Sequence, residues 1–404
     1  MSRNGAQWQS RPKLPSTHYV DPRVYTDQTL FEEEREKIFD RVWAIVCHES
    51  EVPNAYDFRR CQHMGGKELL VIRGKDMKVR TFYNQCPHRG NVIAFEPSGN
   101  AKRLTCIFHL WSFDTKGNCV EITREKEGFQ DRLSKKDVGL REVKSEMDMG
   151  GFIWVNVDDD CEALSEFLGD SIDFLQDELS TAPLEIMCYH KTIVPTNYKL
   201  WHDTNRDLYH EFLHRQNRLI AMGQPGYLDR QYHMHVHGHV TADPSQNSYK
   251  NIEKGTDIRR EMGWPGGEAD LHKLLNLFPT VTYNMRPPAL RIDTMVPLGP
   301  EETVVEFRGY GIKGDSDEIR RERMRDYNSF WGPFGRNLPE DFIAIVGQSI
   351  GLNHGRGSPY ILHGREENTP HSEGCIRHYF AEWSRMMGRS ASDPFNEMAI
   401  VAAE

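Results

Sequence analysis

The spacing of hydrophobic and polar positions changes several times along the chain, and each change predicts a different kind of element. Near the N-terminus, over residues 29–48, the apolar side chains Phe31, Ile38, Phe39 and Val42 fall at helical intervals between charged residues. This stripe predicts a helix with one buried face. We expect it to form an N-terminal segment that packs on a larger domain.

The pattern becomes shorter and partly alternating between residues 52 and 157. Apolar runs are separated there by Gly, Pro, Asn and Asp, and they include ELLVIRG, VRTFYNQC, RLTCIFH and GFIWVNV. Runs of this length with turn residues between them are typical of antiparallel strands. The sequence therefore predicts a small antiparallel β domain, which we place at residues 45–158.

After residue 160 helical and strand-like patterns are mixed. Residues 161–179 and 197–220 have helical texture, as do the runs DEIRRERMRDYNSFWGP and LPEDFIAIVGQSIG. Strand patterns occur in FPTVTYNM, ALRIDTMVPLG and TVVEFRGYGI. We therefore predict an α+β protein: an N-terminal helical segment (1–44), the β domain (45–158), and a larger domain of helices packed on an antiparallel sheet (159–404).

Composition narrows the class of protein. With 404 residues, 38% hydrophobic and 27% charged, the chain can bury a substantial core. Its net charge of −10 argues against nucleic acid as a partner, because phosphate binding needs a basic surface. No apolar run approaches the roughly 20 residues of a membrane span, and the N-terminus lacks the apolar core of a signal peptide. We expect a cytoplasmic protein without membrane contact.

Eight cysteines are too few for a disulfide framework, but two of them have a histidine at ligand spacing. Cys86 and His88 form Cys-x-His, Cys106 and His109 form Cys-x-x-His, and 17 residues separate His88 from Cys106. A tetrahedral zinc site is one interpretation. Because each loop supplies one thiolate and one imidazole, the pattern favours a 2Fe–2S cluster with two Cys on one iron and two His on the other.

A second possible metal centre lies in the run DTNRDLYHEFLH. His210 and His214 are four residues apart, which would place them on one face of a helix where they could share a metal. A third ligand would have to come from elsewhere. Two histidines and one carboxylate would leave open positions on Fe(II) for O₂.

The two Cys/His motifs, Cys-x-His-Arg-Gly and Cys-x-x-His-x-Trp, resemble those of the Rieske non-haem iron oxygenases, specifically the catalytic α subunit of the aromatic-ring-hydroxylating type. The resemblance implies that Cys86, His88, Cys106 and His109 hold a Rieske 2Fe–2S cluster. Leu110 departs from the family pattern, because a glycine commonly follows the second histidine.

The same resemblance implies the ligands of a mononuclear Fe(II). Asp207, Tyr209 and His210 match the family's Asp-x-Tyr-His, so that His210 and His214 would be two ligands. The third would be Asp341, which follows the turn WGPFG, with the adjacent Glu340 as the alternative ligand.

Asp207 has its own role in the resemblance. In the family, this Asp joins the two centres across the interface of a head-to-tail trimer. Asp207 would accept hydrogen bonds from His109 of a neighbouring subunit and from His210. Asp203 and Thr204 stand where the family has Glu and Asn.

The implied function is that of a terminal oxygenase. It would use O₂ and electrons from an NAD(P)H reductase, with or without a ferredoxin, to hydroxylate or cis-dihydroxylate a small anionic aromatic substrate such as an aromatic carboxylate. This would be a step of aromatic hydrocarbon catabolism. The alternative is a monooxygenase of a small organosulfonate or another non-aromatic anion. The implied assembly is an α3 homotrimer, or α3β3 with a small β subunit.

Two other classes are less consistent with the chain. A Rieske ferredoxin would not need the long second domain, and a zinc-stabilised binding module would be colourless and free of sulfide. Arg206, Arg286 and Arg291 are candidates to bind an anionic substrate, although the sequence does not show which of them points into the pocket.

One further pattern has two interpretations. His233, His235, His237 and His239 occupy alternate positions of YHMHVHGHV, which would place them on one face of a strand. Such a row could bind zinc or copper adventitiously. Because no Cys or carboxylate accompanies it, we expect a solvated or pocket-lining face instead.

Overall fold

The computed structural model describes residues 12–249, 262–268, 270–353, 358–366 and 371–396, without the side chains of residues 216 and 217. The chain forms two compact units. The insert unit is Asp40–Leu164, and the large unit consists of Met1–Phe39 together with Ser165–Glu404. These limits lie a few residues outside the β domain expected from the sequence. The first eleven residues of the predicted N-terminal segment lie outside the described residues.

The insert unit is built on a seven-stranded antiparallel sheet and a small three-stranded sheet. Its strands are β2 (Ala44–His48), β3 (Asp57–Gln62), β4 (Glu68–Arg73), β5 (Val79–Tyr83), β6 (Ser98–Asn100), β7 (Leu104–Thr105), β8 (Ser112–Phe113), β9 (Cys119–Glu121), β10 (Glu142–Met147) and β11 (Phe152–Asn156). The large sheet has the order β2-β11-β10-β5-β4-β3-β6, and the small one β7-β8-β9. The core contains Leu70, Phe82, Trp111 and Phe113, which hold the two Cys/His loops beside it.

The large unit contains a second seven-stranded antiparallel sheet. Its strands are β12 (Leu184–Val194), β13 (Tyr232–Met234), β14 (Val240–Gln246), β15 (Leu271–Leu277), β16 (Val281–Arg286), β17 (Ala289–Gly299) and β18 (Glu302–Ile312). Their order is β12-β18-β17-β16-β15-β14-β13. A separate pair joins β1 (Tyr19–Val20) to β19 (Ile361–Leu362). The central strand β16 is buried on both faces, and so is β17 over all but its last two residues.

The described α-helices lie mostly in the large unit. They are α1 (Arg23–Thr26), α2 (Gln28–Glu34), α3 (Glu125–Phe129), α4 (Leu164–Leu168), α5 (Gln176–Ser180), α6 (Tyr198–Arg206), α7 (Arg215–Ile220), α8 (Asp317–Asp326), α9 (Leu338–Asn353) and α10 (Gly374–Met387). Among the described residues, every helix is too short or too polar to span a membrane. The predicted α+β class, with its antiparallel β domain and its helix-on-sheet domain, is confirmed.

The N-terminal helix is shorter than the stripe over residues 29–48 predicts. Helix α2 ends at Glu34 and continues only as a wide π-helical turn, Arg35–Phe39. The following apolar residues form strand β2, which is buried throughout and pairs with β11. The β-branched and small residues of AIVCH favour this buried strand, so tertiary pairing overrides the helical spacing.

Two other predicted helices are also interrupted. Between 161 and 179, Gly169 has a φ of +53° and separates α4 from a 3₁₀ turn, Ser171–Leu175. Between 197 and 220, Asp207 is extended and ends α6. The backbone then forms a 3₁₀ turn, Leu208–Leu213, before α7 begins.

The histidine-rich run is a hairpin and not one strand, so that prediction is wrong. Strand β13 ends at Met234, and β14 returns antiparallel to it after a turn at Val236–Gly238. The turn requires positive φ at two successive residues, His237 (+54°) and Gly238 (+72°), which an extended strand cannot contain.

Each histidine of this hairpin therefore has its own partner. His233 Nε2 lies 2.6 Å from Asp243 Oδ1, and His235 Nδ1 lies 2.8 Å from Asp170 Oδ1. His239 is buried and bonds the carbonyl oxygen of Phe167. The run does not form a metal-ligand cluster in the described part of the chain, and its histidines hold the hairpin in place.

A buried carboxylate joins three helices of the large unit. Both oxygens of Glu34, on α2, accept hydrogen bonds from Lys199 Nζ on α6, at 2.7 and 2.9 Å. Trp383 Nε1, on α10, donates to the same carboxylate at 2.6 Å. Because all three side chains are buried, this contact fixes α6, and α6 leads directly into the turn that carries His210.

Candidate metal centres and substrate cavity

The two Cys/His loops of the insert unit fold in the same way. In the first, Gly90 N donates to the carbonyl oxygen of Cys86, and Cys86 N donates to Asn91 O. In the second, Leu110 N donates to Cys106 O, and Cys106 N donates to Trp111 O. The fifth residue of each loop has positive φ, +75° at Gly90 and +59° at Leu110. Leu110 thus adopts the backbone conformation for which glycine is suited.

The thiols of the loops lie in different electrostatic surroundings. Burial raises the pKa of the Cys86 thiol to about 11. Burial acts in the same direction on Cys106, but hydrogen bonds from the Phe108 backbone N–H and the Asn91 amide outweigh it and lower the pKa of that thiol. The Asn91 Nδ2 atom lies 3.7 Å from Cys106 Sγ. Donors that point at sulfur in this way are those that tune an iron–sulfur cluster.

The two loop histidines lie beside each other. The ring centroids of His88 and His109 are 4.5 Å apart, and the indole of Trp111 stacks on His88 with its ring centroid 4.6 Å away. Cys86 and Cys106 are each only 2% exposed, whereas the histidines are partly exposed. Two buried thiols beneath two partly exposed imidazoles fit a 2Fe–2S cluster with mixed ligands.

In the large unit, the structure brings together His210, His214 and Asp341. The two Nε2 atoms are 3.1 Å apart, and Asp341 Oδ1 lies 3.2 Å from His210 Nε2 and 3.1 Å from His214 Nε2. Ligand atoms about 2.1 Å from one ion and at right angles to each other would be about 3.0 Å apart. The triangle therefore fits a single metal ion, and it is the only such group found in the described ranges.

The local backbone differs from the helix that the spacing of four predicts. His210 belongs to the 3₁₀ turn Leu208–Leu213, and His214 follows it in extended conformation. The turn brings the two rings together, although they do not lie on one α-helical face. Asp341 lies in the first turn of α9 and is 6% exposed.

An oxygen behind each ring fixes its orientation. His210 Nδ1 bonds the backbone carbonyl oxygen of Asp207, and His214 Nδ1 lies 3.0 Å from Glu340 Oε2. Such a bond to Nδ1 leaves Nε2 free for a metal. Glu340, the alternative ligand from the sequence, thus lies behind His214 and outside the triangle.

The Asp207 carboxylate differs in one respect from the sequence-based expectation. Its Oδ1 accepts the Tyr209 backbone N–H at 2.7 Å, but Oδ2 is 4.0 Å from His210 Nδ1. The hydrogen bond expected from His210 to this carboxylate is therefore made to the backbone carbonyl, because the tight turn places that oxygen beneath the ring. Burial raises the pKa of Asp207.

A cavity adjoins the triangle, and most of the residues that line it are polar. The space available to the centre of a water molecule is about 40 Å³, which is enough for about three waters. The residues that line it besides the triangle are Thr204, Asn205, Leu208, Glu211, His272, Leu274, Asn284, Arg286, Arg291, Asn337 and Leu338.

Two of the three arginines that the sequence offered as binders of an anionic substrate line the cavity. These are Arg286 and Arg291. Arg206 lies elsewhere, where its Nη1 donates to Gly238 O at 2.7 Å and its guanidinium lies over the Tyr379 ring. His272 and Asn284, which also line the cavity, are not among the residues predicted from the sequence. Polar residues occupy alternate positions of VTYNMR, which is a signal for Asn284, whereas LHKLLNL has no such alternation to mark His272.

The insert unit contains two loops that each combine Cys and His, and the large unit contains a triangle of two histidines and one carboxylate. These features together define a class of protein: an oxygenase with a Rieske centre and a mononuclear iron. Family models agree. The Rieske [2Fe-2S] domain matches residues 42–142, and the ring hydroxylating alpha subunit (catalytic domain) matches residues 169–389.

Curated relatives cover almost the whole chain. The methanesulfonate monooxygenase hydroxylase subunit alpha of Methylosulfonomonas methylovora is 45% identical over 99% of this chain and 99% of its own length. The 2-aminobenzenesulfonate 2,3-dioxygenase subunit alpha of Alcaligenes sp. is 39% identical, over 97% and 99%. The fold resembles naphthalene 1,2-dioxygenase from Rhodococcus sp. with a TM-score of 0.78 at 20% identity, covering 91% of this chain and 94% of that one.

The chain therefore belongs to the Rieske non-haem iron oxygenases, as a ring-hydroxylating alpha subunit. It is an oxidoreductase that has a Rieske 2Fe–2S cluster and a mononuclear iron site, and it is the alpha component of a multicomponent oxygenase.

Proposed function

We propose that Cys86, His88, Cys106 and His109 hold the cluster, and that His210, His214 and Asp341 hold the iron. The donor sets and the triangle of 3.1–3.2 Å support this assignment. When bound, the two groups supply electron transfer and O₂ activation. Glu340 and the backbone of Asp207 orient the two imidazoles.

We propose further that the substrate is a small organosulfonate, which the enzyme monooxygenates. The observation that supports this most directly is the small, polar cavity with two arginines beside the triangle. An aromatic pocket is lined predominantly by apolar side chains, whereas guanidinium groups are suited to oxyanions. Two relatives covering nearly the whole chain are named for sulfonate substrates. The aromatic carboxylate expected first from the sequence is less well supported than the sulfonate alternative.

The test is turnover with reductase and NAD(P)H supplied. Methanesulfonate, ethanesulfonate, benzenesulfonate and benzoate are compared by O₂ uptake and product mass. Hydroxylation at the carbon that bears the sulfonate uses one O₂, two electrons and two protons, and yields a hydroxysulfonate and water. This product is the bisulfite adduct of an aldehyde, so released sulfite is a second readout. We expect turnover of the alkanesulfonates. Turnover of benzoate alone would contradict the proposal.

We propose that Asp207 is the positioning residue between the two centres of adjacent subunits. Its carboxylate has one hydrogen bond within the described chain, from Tyr209, and its side chain is 23% exposed. This exposure would allow the carboxylate to accept an N–H from His109 of a neighbouring subunit. A carboxylate in this position orients the histidines that it contacts.

The variant Asp207→Ala tests this role. We expect the cluster absorption and the iron content to remain, while oxidation of the reduced cluster by O₂ and substrate slows at least about tenfold. Unchanged single-turnover kinetics would contradict the proposed electron route.

We propose a reductase, with or without a ferredoxin, as the electron donor, and an α3 or α3β3 assembly. The relatives named as alpha subunits support a further subunit. Gel filtration of this chain alone and after co-expression with a small β subunit distinguishes the two assemblies, because only α3β3 gains mass on co-expression.

A further inference from the structure

The central strands of the large sheet place a polar row beside the iron triangle. In the register of the sheet, Leu274 on β15 pairs with Asn284 on β16, and Asn284 pairs with Arg291 on β17. Alternation along the strands adds His272 and Arg286 to the same face. All five side chains line the cavity. The face is polar although it is buried, which indicates that it serves a ligand.

Each of the three guanidinium nitrogens of Arg291 already lies close to an oxygen of the protein. Its Nη1 donates to the carbonyl oxygen of Trp331 at 2.5 Å, and its Nη2 donates to Asp293 Oδ2 at 2.9 Å. Its Nε lies 2.9 Å from the other carboxylate oxygen of Asp293. This arginine is a structural member of a buried ion pair.

Arg286 has the opposite arrangement. Its Nε donates to Asn284 Oδ1 at 2.8 Å, and the face of its guanidinium lies 3.7 Å from the centre of the Trp331 ring. Within the described residues, Nη1 and Nη2 have no hydrogen-bond or ion-pair partner. Burial lowers the pKa of Arg286 to about 9, which leaves the group charged at neutral pH. The Nε side of the Arg286 guanidinium is thus held in place, whereas Nη1 and Nη2 are available to a ligand.

The charges of the surrounding cluster leave one positive charge without a partner. Arg291 is paired with Asp293, and Arg230 Nη2 lies 3.5 Å from Glu211 Oε2. Asp341, the third carboxylate of the cluster, is assigned to the iron, and among the described residues Arg286 alone of the three guanidinium groups has no carboxylate within ion-pair distance. A monoanion would neutralise it. An uncompensated buried charge is costly, so the cluster favours an anionic ligand.

His272 supplies a further donor. Burial, together with Arg286, lowers the pKa of His272 well below its ordinary value, so the ring is neutral. Ser245 Oγ lies 3.4 Å from His272 Nδ1, and a hydroxyl that donates there places the ring proton on Nε2. Among the described residues, the buried Nε2 atom has no hydrogen-bond partner.

We infer that Arg286 binds the sulfonate of the substrate with its two terminal nitrogens, and that His272 Nε2 binds the third sulfonate oxygen. This assignment rests on the proposed function, since it identifies the anchor for that substrate. A carboxylate has only two oxygens and would leave His272 without a partner. Together, Arg286 and His272 favour binding of a sulfonate over a carboxylate. Both anions bind more tightly than a neutral molecule.

The test compares methanesulfonate with dimethyl sulfone, its neutral analogue of similar shape, and with acetate. Dissociation constants are measured by anaerobic calorimetry on the metal-loaded enzyme, alongside kcat/KM. We expect Arg286→Gln to weaken methanesulfonate binding at least about 30-fold and dimethyl sulfone binding less than about threefold. Arg286→Lys should be intermediate, because it keeps the charge and loses the fork. His272→Ala should lower the preference for methanesulfonate over acetate.

Arg321→Gln is the matched control, because it removes an exposed guanidinium on α8 and should change no constant. Near-wild-type methanesulfonate affinity in Arg286→Gln would overturn the inference while leaving the proposed function intact. If the wild-type enzyme neither binds nor oxidises any sulfonate, the proposed function fails as well. The ratio of the affinity for methanesulfonate to that for dimethyl sulfone is measured on folded protein only. A loss of folded material therefore cannot produce the expected result.

Discussion

Asp203 stands where the family has a glutamate, and it is buried in the large unit. Its Oδ2 accepts a hydrogen bond from the Tyr25 hydroxyl at 2.6 Å, and its buried Oδ1 has no hydrogen-bond partner within the described part of the chain. Burial raises the pKa of this carboxyl to about 7, against the opposing effects of Tyr25, Arg206 and Lys199. A carboxyl that is protonated more readily in the folded protein makes stability depend on pH.

The sign and size of this dependence follow from the two pKa values. In the unfolded chain Asp203 has the ordinary value of 3.8, so the shift is about 3 units, worth about 4 kcal/mol. Below pH 3.8 Asp203 is protonated in both the folded and the unfolded protein, so it does not lower the free energy of unfolding. As the pH rises from 3.8 to 7, the unfolded chain releases the proton first, and folding loses about 1.4 kcal/mol per unit.

The variant Asp203→Asn keeps the shape and the acceptor for Tyr25 but cannot ionise. We expect it to be more stable than the wild type by about 2 kcal/mol at pH 5 and about 4 kcal/mol at pH 8. Urea denaturation at several pH values, followed by tryptophan fluorescence, measures the difference. A difference that does not change between pH 5 and pH 8 would refute the reasoning.

Asp243→Asn is the control, because it removes a partly exposed carboxyl whose pKa is lowered. Burial acts to raise the pKa of Asp243, but hydrogen bonds from His233 and from the Gln231 backbone outweigh it. A lowered pKa stabilises the fold above pH 3.8, and that stability is lost as the pH falls. The control should therefore show a difference of opposite sign.

Three further changes test other contacts. Glu340→Gln should weaken iron retention about tenfold in dialysis against a chelator, because His214 loses its charged partner; unchanged retention would contradict that role. Leu110→Gly should stabilise the insert unit by about 0.5–1 kcal/mol in thermal unfolding, since positive φ costs less for glycine; a loss of stability would count against strain at Leu110. Lys199→Met should cost about 3–5 kcal/mol in urea denaturation, and adding Glu34→Leu should restore most of it; additive losses would show that the two charges are not coupled.

The loops at Cys86 and Cys106 were identifiable from the sequence because their chemistry is local. Each thiol lies within three residues of its histidine, and the loop geometry follows from short turns. His210 and His214 were identifiable for a similar reason. A spacing of four brings two rings together on an α-helix, and it also does so across the end of a 3₁₀ turn, although the predicted helix was interrupted.

The substrate cavity was not identifiable in the same way, for a physical reason. Alternating polar residues usually mark the solvated face of a strand. On β16 the polar residues Asn284 and Arg286 line the buried cavity, although their alternation would ordinarily indicate a solvated face. On β15 the run LHKLLNL has no such alternation, so nothing in the pattern marks His272. Only the pairing of distant strands shows which side is covered.

The histidine-rich hairpin shows the converse. Four residues with an exact period of two predicted one strand face, but the positive φ at His237 and Gly238 reverses the chain between them. The sequence signal for this turn was the single glycine in HGH, which is weak evidence beside the period of the four imidazoles.

The contact between Glu34, Lys199 and Trp383 has a consequence for the order in which the protein matures on the ribosome. Glu34 is synthesised before the insert unit, whereas Lys199 and Trp383 come after it. Domains fold as units during synthesis, N-terminal parts first. The insert unit is complete when residue 164 has been added. Glu34 has its full set of partners only after Trp383 has been synthesised, near the end of translation. The insert unit, which carries the Cys/His loops, can thus be finished before the large unit has received helix α10.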